Sequence, residues 1–260
     1  MTRTPSLALQ AARGDRTARR ALAQRALEPV GLRVEPLYHS LDAHRSRLIA
    51  QLGVARIVDV GANVGQYATH VRSLGYAGQI VSFEPNPAAS DELKRRAAAD
   101  DRWTVETCAL GPAAGDARLR ITVDGLSTSL LQPDGGADYT FMAEDTEQQV
   151  VTPVRTLDSF ALADDGVPTL VKLDVQGYEG AVLDGGPETL ARAVAVEAEL
   201  SLIPLYTGQI LIEDMLARLR ASGFTPVTLT RGFTDPETHE IVQMDGLWVR
   251  RSPAQAGTAG

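Results

Sequence analysis

Apolar residues recur along the chain in two rhythms, short unbroken runs and helical spacings, and the two alternate. Residues 56–60 read as a buried strand, 80–83 as the next, 169–174 as a central apolar strand and 194–200 as another with Glu197 and Glu199 on alternate positions. Between the first two, Tyr67, Val71 and Leu74 fall at helical spacing over residues 66–74, and the pattern stops at Gly75. Residues 88–99 and 211–221 read as further helices, the second strongly amphipathic and closed by Gly223, and residues 178–183 begin another. Residues 103–110 read as one strand and 118–123 as an added strand with alternating exposure. Near the end, residues 225–231 and 246–250 read as two strands joined by a polar turn around Asp235-Pro236, an antiparallel hairpin. Strand and helix in alternation predict an α/β, doubly wound sheet, mostly parallel with a C-terminal antiparallel hairpin. Ligands of such sheets bind at the carboxyl ends of the strands. The stretch from 125 to 150 is too polar for a core element. With Ser127, Thr128 and Ser129, Gly135-Gly136 and Asp138-Tyr139, it reads as an irregular loop and a substrate lid.

The sharpest local pattern is Ile57-Val-Asp-Val-Gly-Ala-Asn-Val-Gly-Gln66, an apolar strand running into a glycine-bearing turn and a helix. Asp59 closes the strand. Gly61 and Gly65 let the backbone turn tightly and pass close to a ligand, and Asn63 tolerates a left-handed backbone better than most residues. The next strand ends in Glu84-Pro-Asn-Pro87, which puts an acid where a ribose diol can be gripped. A nucleoside cofactor follows from the pair. The dinucleotide fingerprint needs a second and third glycine where this turn has Asn63 and Gln66, and no Gly-Lys-Ser/Thr occurs to cradle phosphate.

An Asp-x-Gly-x-Asn-x-Gly corner followed by a strand-end Glu resembles the cofactor corner of S-adenosylmethionine-dependent methyltransferases. Further segments follow in order: Ala109-Leu-Gly111, Ser127-Thr-Ser-Leu130, Arg155-Thr-Leu-Asp158, and Lys172-Leu-Asp-Val-Gln-Gly-Tyr-Glu179. The whole series resembles the FkbM-type methyltransferase family over residues 41–251. That resemblance implies a Rossmann-like class I methyltransferase sheet, S-adenosylmethionine as cofactor, and O-methylation of a small-molecule hydroxyl. The implied acceptor is a sugar or glycoside of secondary-metabolite or glycolipid biosynthesis.

The resemblance also implies roles. Asp59, Gly61, Asn63, Gly65 and Tyr67 would surround the methionine part of the cofactor, with Glu84 on the ribose and Pro85, Asn86 and Ala109 toward the adenine. Asp174 and Gln176 would flank the sulfonium, and Asp174 and Glu179 are the candidate catalytic carboxylates. His239 joins them only if the C-terminal hairpin folds back. Ser127, Thr128, Ser129, Tyr178 and Tyr206 would face the acceptor. A hydroxyl must lose its proton to attack, which calls for a general base or a divalent metal. Asp174, Glu179, Glu197 and Glu199 could hold Mg²⁺, but paired acids at strand ends more often bond to loop backbone or arginine, and metal dependence is the less favoured reading. The alternatives are a nucleotide-cofactor dehydrogenase and a non-catalytic cofactor-binding regulatory or partner subunit.

Composition adds limits. Residues 1–50 hold nine arginines and four acids, a formal +5, so the rest of this −8 chain carries −13. An acidic main body argues against nucleic-acid partners, whose phosphates need clustered cations. Residues 1–40 read as a basic helical extension, 41–251 as the methyltransferase domain and 252–260 as a disordered tail. The single cysteine, Cys108, lies in an apolar run and reads as a buried thiol. No apolar stretch reaches a membrane span and no signal-peptide core is present, so a cytoplasmic protein is expected. Oligomeric state is left open.

Overall fold

The computed structural model describes residues 6–30, 40–122, 128–134 and 146–251. Ser127, most of the expected lid and the expected tail lie outside the described residues. The chain divides into two compact units, the first ending at Ala43 and the second beginning at His44. Within the first, α1 (Leu7–Ala12) is followed by α2 (Arg16–Leu27), whose start is capped by Asp15 accepting from the backbone N–H groups of Thr17 and Ala18.

The second unit is built on a seven-stranded sheet. Its members are β1 (Arg56–Val60), β2 (Gln79–Phe83), β3 (Trp103–Glu106), β7 (Thr169–Leu173), β8 (Ala195–Ser201), β9 (Phe224–Arg231) and β10 (Gln243–Arg250). Their order is β3-β2-β1-β7-β8-β10-β9, parallel except for β10, which runs antiparallel to both neighbours. The predicted parallel sheet with its C-terminal hairpin is therefore the observed one. Every residue of β1 and β7 is buried, including Asp59 and Lys172 within their otherwise mostly apolar runs. The main core gathers Val58, Val60, Phe83, Leu173, Val196 and Trp248 with the inner faces of α6 (Glu179–Asp184), α7 (Pro187–Arg192) and α8 (Ile212–Ala221). Helices α4 (Gln66–Ser73) and α5 (Pro87–Ala97), with α3 (Leu41–Leu52) from His44 onward, complete the unit.

Three departures from the sequence expectation matter. The single strand expected over 103–110 is two, because Ala109 and Leu110 (β4) leave the edge of β2 and pair with Val154 and Arg155 instead. Their partner is β6 (Thr146–Arg155), which also pairs along β5 (Gly115–Thr122) in a three-stranded second sheet, β4-β6-β5. β6 begins inside the stretch expected to be irregular. Its Thr-Glu-Gln-Gln start carries no apolar signal, and its strand conformation comes from the ladder with β5. The six-residue helix α7, which opens on proline, was not expected either, being too short for a period to register.

Candidate active site

β1 delivers the chain to a corner in which Gly61 (φ 78°), Asn63 (φ 47°) and Gly65 (φ 88°) all take left-handed backbone. The N–H groups of Gly61 and Ala62 both donate to the carbonyl of Phe83, tying the corner to the end of β2. A Cβ on Gly61 would overlap the carbonyl oxygen of Asp174, and one on Gly65 would press on Leu93 and the Trp103 ring. The two glycines thus serve opposite sides: Gly61 faces the site, Gly65 faces the α5 packing.

Glu84 clamps this corner. Its Oε2 accepts from the Asn63 N–H at 2.7 Å and its Oε1 from the Asn86 N–H at 2.8 Å. Burial pushes its carboxyl up to about 7 despite those two donors. The cap of α5 is Asn86, whose Oδ1 accepts from the Ala88 N–H at 3.1 Å, with Pro87 at the first helical position.

Corner and strand ends enclose a cavity of about 420 Å³, within the range of small-molecule sites. Phe83, Pro85, Cys108, Ala109 and Leu110 form an apolar wall beside Glu84, and burial raises the Cys108 thiol to about 11, leaving it inert. Asp174, Gln176, Tyr178, Thr128 and Ser129 also line the cavity. Asp174 leaves the end of β7 with a side chain 39% exposed, its Oδ1 accepting from Gln176 Nε2 at 3.2 Å. Gln176, itself at φ 53°, is a hub. Its Nε2 also donates to Glu199 at 3.2 Å, its Oε1 accepts from the Tyr206 hydroxyl at 3.3 Å, and its carbonyl accepts from the Ser129 hydroxyl at 2.7 Å. Glu199 takes a second amide donor from Gln243 at 2.6 Å, and burial, with Asp174, Glu179 and Asp245 nearby, raises its pKa well above the ordinary carboxylate range.

Of the residues expected here, Gly61, Asn63, Tyr67, Glu84, Pro85, Ala109, Thr128, Ser129, Asp174, Gln176 and Tyr178 line the cavity together. Asp59, Gly65, Asn86, Glu179 and Tyr206 are not among its lining residues. Asp59 is fully buried under the corner, where Ser82 donates to its Oδ2 at 3.3 Å, and burial raises its pKa. Glu179 is buried as well, with Oε1 accepting from the N–H groups of Val175 at 2.9 Å and Gly177 at 3.3 Å, so it holds the turn after β7. His239 is exposed in the turn between β9 and β10, donating its backbone N–H to Asp235, away from the cavity. Glu197 is occupied by a forked pairing with Arg45 of α3 and by the Tyr67 hydroxyl at 2.9 Å. Among the described residues no grouping of three or more His, Cys, Asp or Glu could hold a metal ion.

Sequence reasoning passed over Lys172. It lines the cavity with its ammonium 3.3 Å from Asp59 and 3.4 Å from Asp174, and donates to the Gly61 carbonyl at 3.2 Å. Burial alone would lower its pKa, but the carboxylates of Asp174 and Asp59 outweigh it and hold the ammonium above the usual lysine value. The available signal was a lysine within an otherwise apolar strand, which needs a buried partner.

Residues 59–226, from the acid under the corner to β9, match the Methyltransferase FkbM domain. The chain belongs to the FkbM methyltransferase family. It is accordingly an S-adenosylmethionine-dependent methyltransferase, and the dehydrogenase alternative falls. The 2-O-methyltransferase NoeI of Sinorhizobium fredii (strain NBRC 101917 / NGR234) is 30% identical over 172 residues, which cover 62% of this chain and 69% of that protein. Among solved structures, a putative S-adenosylmethionine dependent methyltransferase from Listeria monocytogenes aligns over 81% of this chain and 97% of its own at 8% identity, TM-score 0.46. The 1,6-didemethyltoxoflavin-N1-methyltransferase of Burkholderia thailandensis aligns over 97% and 93% at 13% identity, TM-score 0.42. The lining suits a nucleoside cofactor: Phe83, Pro85, Cys108, Ala109 and Leu110 give apolar surface beside the Glu84 carboxylate, and Gly61 and Asn63 of the corner line the same cavity. No helix among the described residues is long and apolar enough to cross a membrane.

Proposed function

We propose that the chain is an O-methyltransferase whose acceptor is a hydroxyl of a sugar or glycoside. The observation that carries this reading is Asp174, a carboxylate at the end of a central strand, part-exposed in the cavity and held by Lys172 and Gln176. Thr128 and Tyr178 add hydroxyl groups to the cavity lining, suited to a polyhydroxylated acceptor. The name of the relative NoeI, a 2-O-methyltransferase, supports the oxygen acceptor.

S-adenosylmethionine, when bound, would supply a sulfonium methyl open to in-line attack by a hydroxyl oxygen, with the neutral thioether S-adenosylhomocysteine as the leaving group. The chain must bring the hydroxyl close, align it and take its proton. In this reading Asp174 accepts that proton. Glu84 receives the ribose diol while keeping its backbone donors, and Phe83, Pro85, Cys108, Ala109 and Leu110 border the adenine. The backbone of Gly61 and Asn63 faces the amino-acid end, over Asp59. Gln176 holds Asp174 in place, and Tyr206 acts through Gln176. Glu179 keeps the turn, Gly65 and Asn86 serve the scaffold, and His239 has no part.

The test is calorimetric titration with S-adenosylhomocysteine, followed by transfer of a ¹³C-labelled methyl to a panel of glycosides with NMR identification of the product. Micromolar binding and a methyl ether are expected. Transfer to nitrogen acceptors alone would overturn the oxygen reading, and tight binding without transfer to any acceptor would favour a non-catalytic partner subunit.

A further inference from the structure

Lys172 is one of two lysines in 260 residues, and its side chain is only 9% exposed. The parallel register of β1 and β7 sets it directly beside Asp59, and two residues further along β7's path Asp174 turns back toward it. Three oxygens surround the ammonium: Asp59 Oδ1 at 3.3 Å, Asp174 Oδ2 at 3.4 Å and the Gly61 carbonyl at 3.2 Å. The Gly61 contact is a hydrogen bond, while Asp59 and Asp174 are ion-pair contacts, and Asp59 Oδ1 has the ammonium as its counter-ion without a hydrogen-bond partner of its own. The Tyr67 ring, 5.4 Å away, closes the side toward α4, with Glu197 and Arg45 beyond it. A ligand carboxylate would have to displace one of the three oxygens and would meet Asp59, Asp174, Glu84 and Glu197 around it.

We propose that Lys172 is a positioning residue that locks the cofactor corner to Asp174, and that it is not itself a ligand of the cofactor. This rests on the cofactor placement proposed above. Asp59 lies under the corner, Gly61 is the corner, and Asp174 is the reaction rim; a single buried cation holds all three. Without it, Asp59 keeps a buried carboxyl with no counter-ion and the Gly61 turn loses its anchor.

The test is calorimetry on the full chain with two probes, S-adenosylhomocysteine and 5′-deoxy-5′-methylthioadenosine, the second lacking the amino-acid end. Lys172→Met is expected to weaken both by the same factor, about tenfold. Lys172→Arg should recover part of the loss, because it retains the charge. Asp59→Asn with Lys172→Met should bind both probes more tightly than Lys172→Met alone, because the unpaired buried acid is gone. A loss for S-adenosylhomocysteine exceeding that for methylthioadenosine by about tenfold or more would make Lys172 a ligand and overturn the proposal. Wild-type affinities in Lys172→Met, or a double variant weaker than the single, would overturn it too. If Lys172→Met does not fold, the double variant takes its place in comparing the two probes. Failure to find a glycoside acceptor, with these affinities as expected, counts against the acceptor assignment and not against Lys172.

Discussion

Gly61 lies against the carbonyl of Asp174, so close that no β-carbon fits between them. The corner after β1 and the end of β7 that carries Asp174 are thus in backbone contact, and a change at one moves the other. Gly61→Ala must also hold a left-handed φ of 78°, which costs an L-residue about 1–2 kcal/mol before any overlap is relieved. The expected outcome is a melting temperature lower by about 5 °C or more, with loss of measurable S-adenosylhomocysteine binding. Wild-type binding in a folded Gly61→Ala protein would mean that the cofactor does not approach this turn.

With Glu84 on the ribose, as proposed above, cofactor binding should be pH-dependent. Its carboxyl is raised from 4.5 to about 7, chiefly by burial. A group raised on folding stabilises the folded state fully below its unfolded value, and that stability is lost as pH rises through the folded value. The unliganded protein should therefore lose stability between about pH 4.5 and 7 on account of Glu84, by about 3 kcal/mol at most. Glu179, raised likewise to about 7, adds to the same slope. A ribose diol donates to the ionised carboxylate, so S-adenosylhomocysteine affinity should rise from pH 6 to pH 8. Glu84→Gln is expected to flatten the affinity profile, weaken binding at pH 8 and reduce the pH slope of stability. Calorimetry and thermal melts over that range check both limbs, and an unchanged affinity slope in Glu84→Gln would remove Glu84 from the ribose.

Asp174 and Glu84 should separate chemistry from binding. Asp174→Asn keeps the size and the Gln176 neighbour but cannot take a proton, so turnover should fall about 10²-fold or more while S-adenosylhomocysteine affinity stays within severalfold. Glu84→Ala should show the reverse emphasis, with the larger effect on cofactor affinity. Equal turnover in the Asp174→Asn variant and the wild type would assign the proton to another group.

The sequence made the corner readable because its chemistry is local. Gly61, Asn63 and Gly65 announce left-handed backbone, and Glu84 follows at the end of the next strand; all four stand in the structure as the spacing predicts. Lys172 was not readable that way. Its meaning depends on the β1–β7 register, which sets it beside Asp59, 113 residues earlier in sequence number by the paired positions. Glu179 misleads in the opposite direction, since a carboxylate in a motif looks catalytic until its oxygen is found accepting the N–H groups of Val175 and Gly177. β6 escaped notice because a polar strand is defined by its partner, and β5 supplies that ladder from 37 down to 24 residues away in the Asp116–Pro153 to Thr122–Thr146 pairings.

Arg45 ties α3, which precedes the residues matched to the FkbM domain, to the cavity wall. Its guanidinium pairs in a fork with Glu197, both side chains buried, and stands 4.9 Å over the ring of Tyr67. Tyr67 donates its hydroxyl to the same carboxylate, and burial followed by the Glu197 charge raises that phenol well above its ordinary pKa, so it remains a donor. Removing one partner leaves a charge with no counter-ion. Arg45→Met should therefore cost about 3–5 kcal/mol, a fall in melting temperature of roughly 6–20 °C. Pairing it with Glu197→Gln removes the orphaned charge and should recover much of the loss, as buried ion pairs exchanged whole for neutral groups are often tolerated. Tyr67→Phe deletes only the hydroxyl and should cost about 1–3 kcal/mol, leaving the ring on the cavity wall. If Arg45→Met melts like the wild type, the pair contributes no stability and α3 is not needed to hold Tyr67.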